Sequence, residues 1–269
     1  MVEGSAMRVL VTGSAGFVGR HTVAAFTERG DEVHTFDKQD GQDLGRGGWQ
    51  WPEVDAIVHL AASCSTPGSV ARPFETFWDT VLTTARVLEA ARDSGTPVIL
   101  TSSVKARDGK TPYGAAKRMS ELWAEEYRTA YSLPVVINRP GTIYGPGQAG
   151  SPESGWIAWF CEARAASVPV ILNGDGQQVR DLLHVSDYVK LLVKQAMSPK
   201  TYSGQIYDVG GGEANAVTVQ QIADHLGPIY SYGPERYGDA RSYVGLNDAP
   251  DWAPQGLWRE SETLGEQHD

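Results

Sequence analysis

Cysteine is nearly absent: Cys64 and Cys161 are the only two in 269 residues. So sparse a pair excludes a disulfide framework. It suits a reducing cytoplasm, with both thiols read as small buried apolar groups. Cations are also short, at 23 Lys and Arg against 33 Asp and Glu, a net charge of −10. That balance argues against a nucleic-acid partner, while a local basic pocket for a phosphorylated ligand is still allowed. No apolar run approaches membrane-spanning length and the N-terminus has no secretory pattern, so no membrane partner is expected. Internal repeats and low-complexity tracts are missing too. Residues 1–6, ahead of the second methionine Met7, read as an expression remnant or a natural frayed end and are set aside. The remainder, of ordinary apolar content, is long enough for one large α/β domain or for such a domain with a smaller lobe.

What is present is led by Arg8-Val-Leu-Val-Thr-Gly-Ser-Ala-Gly-Phe-Val-Gly-Arg20. Val9 to Val11 read as a buried strand that runs into Gly13, Gly16 and Gly19, then into a helical segment from His21 to Glu28. Glycine at these places allows a sharp turn, close approach of a phosphate, and tight packing of helix on sheet. The helix start, from Ala15 through Phe17 and Val18, offers N–H groups and a positive dipole end to a pyrophosphate. A second strand, Glu32 to Phe36, ends in Asp37, whose carboxylate can accept from ribose hydroxyls and would repel a 2′-phosphate. The expected cofactor is NAD. Lys38, a cation beside Asp37, leaves NADP open.

Strand-like and helical runs alternate through the first half. Asp55 to Ala62 is an apolar strand, Phe74 to Asp93 is helical with one broad apolar face, and Pro97 to Thr101 is a strand. Ala115 to Tyr131 is helical and Val135 to Asn138 a strand. Such alternation implies a doubly wound parallel sheet, the Rossmann arrangement, with right-handed crossovers. Between Asp37 and Asp55 any strand or helix must be short. In the second half Gly141 to Gly155 reads as a loop, Trp156 to Ala166 as helix, Pro169 to Leu172 as strand and Gly174 to Asp181 as a polar turn. Val185 to Met197 is helical, Gln205 to Val209 a strand, and Thr218 could cap a helix to Leu226. From Gly233 the periodicity is weak. The expected organisation is a dinucleotide domain over residues 7–150 and a smaller substrate-binding lobe over 151–269, with about 180–210 returning to the first domain.

The chemistry centres on Tyr113-Gly-Ala-Ala-Lys117. A four-residue step puts both side chains on one helical face. A nearby ammonium, with the positive nicotinamide ring, would lower the phenol pKa, so that Tyr113 exchanges a proton with a substrate hydroxyl as hydride moves. Thr101-Ser102-Ser103 closes the preceding strand at the ligand-binding edge, where a serine can bond the same oxygen. A tyrosine and lysine at this spacing also arise by chance, so the reading leans on the glycine turn and the serines before it.

Taken together, these pieces resemble the extended short-chain dehydrogenase/reductase superfamily, in its NAD-dependent epimerase/dehydratase branch acting on nucleotide sugars. Also matching are His59-Leu-Ala-Ala62, Arg139-Pro140, Tyr144-Gly-Pro146, Gly174-Asp-Gly176, Arg180-Asp181, His184-Val185 and Tyr207-Asp-Val-Gly-Gly-Gly212, in the family's order from Val9 to about Leu257. The resemblance implies that Gly13, Gly16 and Gly19 face the pyrophosphate and Asp37 the adenosine ribose. Asp43 and Leu44 would lie beside the adenine. Leu60, Ala61, Ala62, Thr101, Arg139 and Pro140 are carried over as cofactor residues. Ser103, Tyr113 and Lys117 would be the catalytic trio, with Lys117 also on the nicotinamide ribose. Arg180 and Arg236 resemble arginines that grip the substrate diphosphate, a role suited to their planar forks, and Thr142 would lie near it. No metal is assigned. Relatives commonly dimerise through the Phe74–Asp93 and Ala115–Tyr131 helices, which implies a homodimer.

The departures narrow the reaction. The 4,6-dehydratases carry an Asp-Glu acid/base pair where Val104 and Lys105 stand, so dehydration is disfavoured. Thr80 replaces a usual asparagine, the Ser103–Tyr113 loop is short, and the C-terminal lobe looks trimmed. The expected activity is a nucleotide-sugar epimerase of the UDP-glucose 4-epimerase kind. A reductase or dehydrogenase of the same fold, and a non-catalytic dinucleotide sensor, are the alternatives.

Overall fold

The computed structural model describes residues 6–256 and 258. Leu257, residues 1–5 and residues 259–269 lie outside the described residues. The first half runs β1 (Arg8–Thr12), α1 (Phe17–Glu28), β2 (Glu32–Phe36), β3 (Ala56–His59), α2 (Thr66–Ala71), α3 (Pro73–Phe77), α4 (Thr83–Ser94), β4 (Val98–Thr101), α5 (Pro112–Tyr131), β5 (Val135–Pro140) and β6 (Thr142–Tyr144). The second half runs α6 (Trp156–Ala165), β7 (Val170–Asn173), β8 (Val179–His184), α7 (Val185–Met197), α8 (Pro199–Tyr202), β9 (Ile206–Val209), β10 (Ala216–Thr218), α9 (Val219–Leu226), β11 (Tyr230–Gly233) and β12 (Ser242–Tyr243).

The main sheet has six parallel strands in the order β2-β1-β3-β4-β5-β9. Alternation along β1 divides the core. Val9 and Val11 pack with Phe26 of α1 and with Tyr188, Leu191 and Leu192 of α7. Leu10 faces the other way, onto a cluster that includes Val87 and Leu88 of α4 and Tyr127 of α5. Helices therefore cover both faces, as near-continuous apolar parallel strands require. Strand order reverses at β1, since β2 lies on one side of it and β3 on the other. A crevice opens at that switch point, outside the carboxyl ends of the strands.

The second half supplies β9 and α7 to this layer and builds the rest beside it. There β8 pairs with β6, β10 and β12, and β7 pairs with β11. A third core, with Ile157, Phe160, Leu172, Leu182, Ile222 and Leu226, lies beneath.

Several elements differ from the sequence reading. Helix α1 starts at Phe17, not His21, because Gly16 ends the turn as its N-cap without a side-chain bond. By contrast, helix α5 starts at Pro112, as the reading of Tyr113–Lys117 as a helix opening implies, with the Thr111 hydroxyl accepting the Gly114 N–H at 3.1 Å. The Phe74–Asp93 helix is interrupted by a π-turn, Trp78–Leu82. The expected polar turn from Gly174 to Asp181 already contains the start of β8, with Arg180 and Asp181 buried in it.

Candidate active site

Three groups of residues meet along the carboxyl edge of the main sheet. The first is the glycine turn. Gly13 has φ +71°, and a Cβ on it would stand 2.7 Å from the Ala61 nitrogen. A Cβ on Gly19 would stand 2.0 Å from the Gly13 carbonyl, so this glycine seats α1 against the turn. Backbone alone forms the surface there, and no side chain caps α1. Such a bare helix start fits a pyrophosphate. A groove of about 380 Å³ continues from it, lined by Gly13, Gly16, Asp37, Lys38, Asp43, Leu44, Leu60, Ala61 and Ala62.

Asp37 is held rigidly at the end of β2. Its two oxygens accept the Ala15 N–H at 2.9 Å and the Gln39 N–H at 2.8 Å. Lys38 turns to Asp79, at 3.1 Å. Asp43 accepts the Gly45 N–H at 2.9 Å, and Leu44 is buried in the core that also holds Phe36. Phe17 meets the His21 ring edge-on, and Val18 packs into the core, so these two reach the groove only through backbone.

The second group is the tyrosine, lysine and serine. Lys117 is buried and its Nζ donates to the Thr101 carbonyl at 2.8 Å. The Thr101 hydroxyl bonds that of buried Tyr188 at 2.7 Å. Ser103, whose hydroxyl accepts the Lys105 N–H at 3.3 Å, acts on the Tyr113 phenol. Burial pushes that phenol up to about 12, with the Ser103 bond opposing, and drives Lys117 down to about 8. The sequence expectation puts this lowering on Lys117 together with the nicotinamide ring; in the protein alone Lys117 does not contribute it. One of the three ammonium N–H bonds goes to the Thr101 carbonyl, and the lowering that the protein itself supplies comes from Ser103.

Two expected cofactor residues lie at the end of β5. Arg139 is tied to Glu121 by two bonds, at 2.7 and 2.6 Å, because that fully buried carboxylate requires a cation. Glu121, one turn beyond Lys117, also accepts from Ser102 at 2.6 Å. Pro140 is buried in β5 opposite Val209.

The third group lines a cleft of about 460 Å³, where Lys105, Thr142, Glu153, Arg180, Arg236 and Asp239 converge with Trp156 and Trp159. Arg180 bonds Asp239 at 2.5 Å and lies 5.0 Å over the Tyr243 ring. Arg236 donates to the Pro152 carbonyl at 2.7 Å. Lys105, which the sequence shows only as a departure from the dehydratase pattern, joins these arginines. It stands 4.0 Å from Asp239 and 5.6 Å from the Tyr243 centroid. Three cations against two carboxylates give an anion-favouring cleft on an acidic protein.

Comparison with known proteins agrees with this arrangement. The profile of the NAD dependent epimerase/dehydratase family matches residues 9–210. A UDP-glucose 4-epimerase of Mycolicibacterium smegmatis is 32% identical over 280 residues, covering 87% of this chain and 88% of that one. The structure of a Thermus thermophilus UDP-glucose 4-epimerase in complex with NAD superposes with a TM-score of 0.83 at 28% identity, covering 96% and 97% of the two chains. A dTDP-glucose 4,6-dehydratase of Streptomyces venezuelae with NAD bound gives a TM-score of 0.85 at 26% identity, covering 97% and 95%.

Proposed function

The chain belongs to the NAD dependent epimerase/dehydratase family, with NAD as its cofactor, and from that premise we propose that it interconverts nucleotide sugars at C4 of the sugar. The observation that carries the proposal is Ser103, which acts on the Tyr113 phenol and is bonded at 3.3 Å to the backbone of Lys105, which lines a cleft with Arg180 and Arg236. The serine and tyrosine can handle a hydroxyl proton; the cleft suits a diphosphate.

Bound NAD supplies a hydride acceptor and donor. Gly13, Gly16 and the start of α1 hold the pyrophosphate, Asp37 the adenosine ribose, and Asp43 and Leu44 flank the adenine. Tyr113 takes the proton of the sugar 4-hydroxyl and returns it, while Ser103 fixes that oxygen. Lys117, already oriented by Thr101, serves the phenol and the nicotinamide ribose together. Thr142, Arg180 and Arg236 bind the diphosphate, with Lys105 as a further cation. Dehydration is disfavoured, since Val104 is buried and Lys105 is cationic where an acid/base pair would be needed. We further propose a cytoplasmic homodimer, with residues 7–150 carrying the cofactor and the chain from 151 closing over the substrate, apart from about 180–210.

Calorimetric titration with UDP and other nucleoside diphosphates tests the substrate class. Arg180→Ala should weaken binding by about 2–3 kcal/mol and leave NAD affinity unchanged. If no nucleoside diphosphate binds the wild-type protein at millimolar concentration, the nucleotide-sugar reading falls and a reductase acting on a neutral substrate replaces it.

A further inference from the structure

The ribose end of the cofactor groove holds three carboxylates and one ammonium: Asp37, Asp43 and Asp79 against Lys38. Asp37 is buried, with both oxygens taken by backbone N–H groups. Asp43 takes the Gly45 N–H and faces Arg46 at 3.4 Å. Asp79 is engaged differently. It stands in the π-turn that follows α3, across the groove from the end of β2, and receives the Lys38 ammonium at 3.1 Å. Lys38 therefore reaches from the strand end to the helix turn.

Among the described residues that line the groove, the lysine directly after Asp37 is the one cation able to meet a 2′-phosphate. Free, it would offset the Asp37 charge. Held on Asp79 it is neutralised, and the Asp37 charge meets an incoming 2′-phosphate without a counter-ion. We propose that Asp79 is a cofactor-specificity residue, which keeps NADP out by withholding Lys38. Both side chains of the pair are partly solvent-exposed, at 62% and 32%. Such a pair adds little to folding stability, so its removal should leave the fold intact. Its weight falls on the charge of an incoming cofactor.

The test is calorimetric titration of NAD and NADP into the wild-type protein, Asp79→Asn, and Asp79→Asn combined with Lys38→Met. The wild type should favour NAD. Asp79→Asn should lower the ratio of the NADP to the NAD dissociation constant on the order of tenfold, by freeing a charge-assisted bond. Adding Lys38→Met should abolish that gain. An unchanged ratio in Asp79→Asn overturns the proposal. A gain that survives in the double variant overturns it too, because loss of a carboxylate alone would then explain the effect. Using the ratio cancels any general weakening of the groove.

Discussion

Lys117 illustrates how a single residue sets function against stability. Its burial drives the ammonium down to about 8, well under the usual lysine value of about 10.4. The charged form is therefore disfavoured in the folded state. That cost is present in full below pH 8 and fades as pH rises from about 8 to about 10.5, where the unfolded chain also loses its proton. Lys117→Met at pH 7 should remove up to about 3 kcal/mol of cost, less the lost bond to the Thr101 carbonyl. Thermal unfolding should shift to higher temperature while NAD affinity and turnover fall. A lower Tm at pH 7 would mean that the lysine holds the fold together. This trade is legible only in the structure, because Tyr113 and Lys117 show their spacing in the sequence but not the burial of Lys117. Arg139 is the converse case. Its motif points to the cofactor, yet Glu121, one turn past Lys117, claims it through a contact between α5 and β5 that no local pattern reveals.

At the scale of elements, legibility follows periodicity. The bounds of β2 and α7 match the sequence reading because each carries a regular apolar pattern ended by polar residues or a cap. Thr218 does cap α9, in a reciprocal capping box with Gln221. The π-turn at Trp78–Leu82 is silent in the sequence, since one extra residue in a turn barely disturbs an apolar stripe. The start of β8 is hidden because Arg180 and Asp181 are charged yet buried. Their partners, Asp239 and the N–H groups of Gly212 and Gly245, come from far along the chain. The pairings of β7 with β11 and of β8 with β12 are equally remote in sequence.

One joint between elements carries its own pH dependence. His59, at the end of β3, lies between the Thr12 hydroxyl of β1 at 2.7 Å and the Thr84 hydroxyl of α4 at 3.1 Å. Burial, and to a lesser degree the Lys117 charge, hold its pKa down to about 3. An unfolded histidine takes its proton near pH 6.5, so this contribution is complete above that pH and is lost as pH falls towards 3. Between pH 7 and 4.5 the loss should be about 2–3 kcal/mol. Urea unfolding of wild type and His59→Asn at the two pH values checks this. The variant should show a flatter dependence, and equal slopes would remove His59 as the cause.

For the whole molecule, a set of exposed apolar side chains clusters on two helical segments. Phe74 is 70% exposed, Leu122 53%, Met119 48% and Trp123 47%. They occupy α3 and α5, which pack against each other. The proposed two-fold pairing through these helices would bury that surface. Light scattering at micromolar concentration should return the mass of a dimer, and Leu122→Glu combined with Trp123→Glu should halve it. A monomeric wild type would contradict the pairing.

The most direct test of the catalytic account is NMR of a nucleotide sugar incubated with the purified protein and NAD. UDP-galactose serves first, then a panel of other nucleotide sugars. The wild type should convert one C4 epimer into the other with no net consumption of cofactor. Tyr113→Phe should slow this by roughly two to four orders of magnitude while still binding NAD. Stoichiometric NADH with no epimer, or near-normal turnover in Tyr113→Phe, would contradict it.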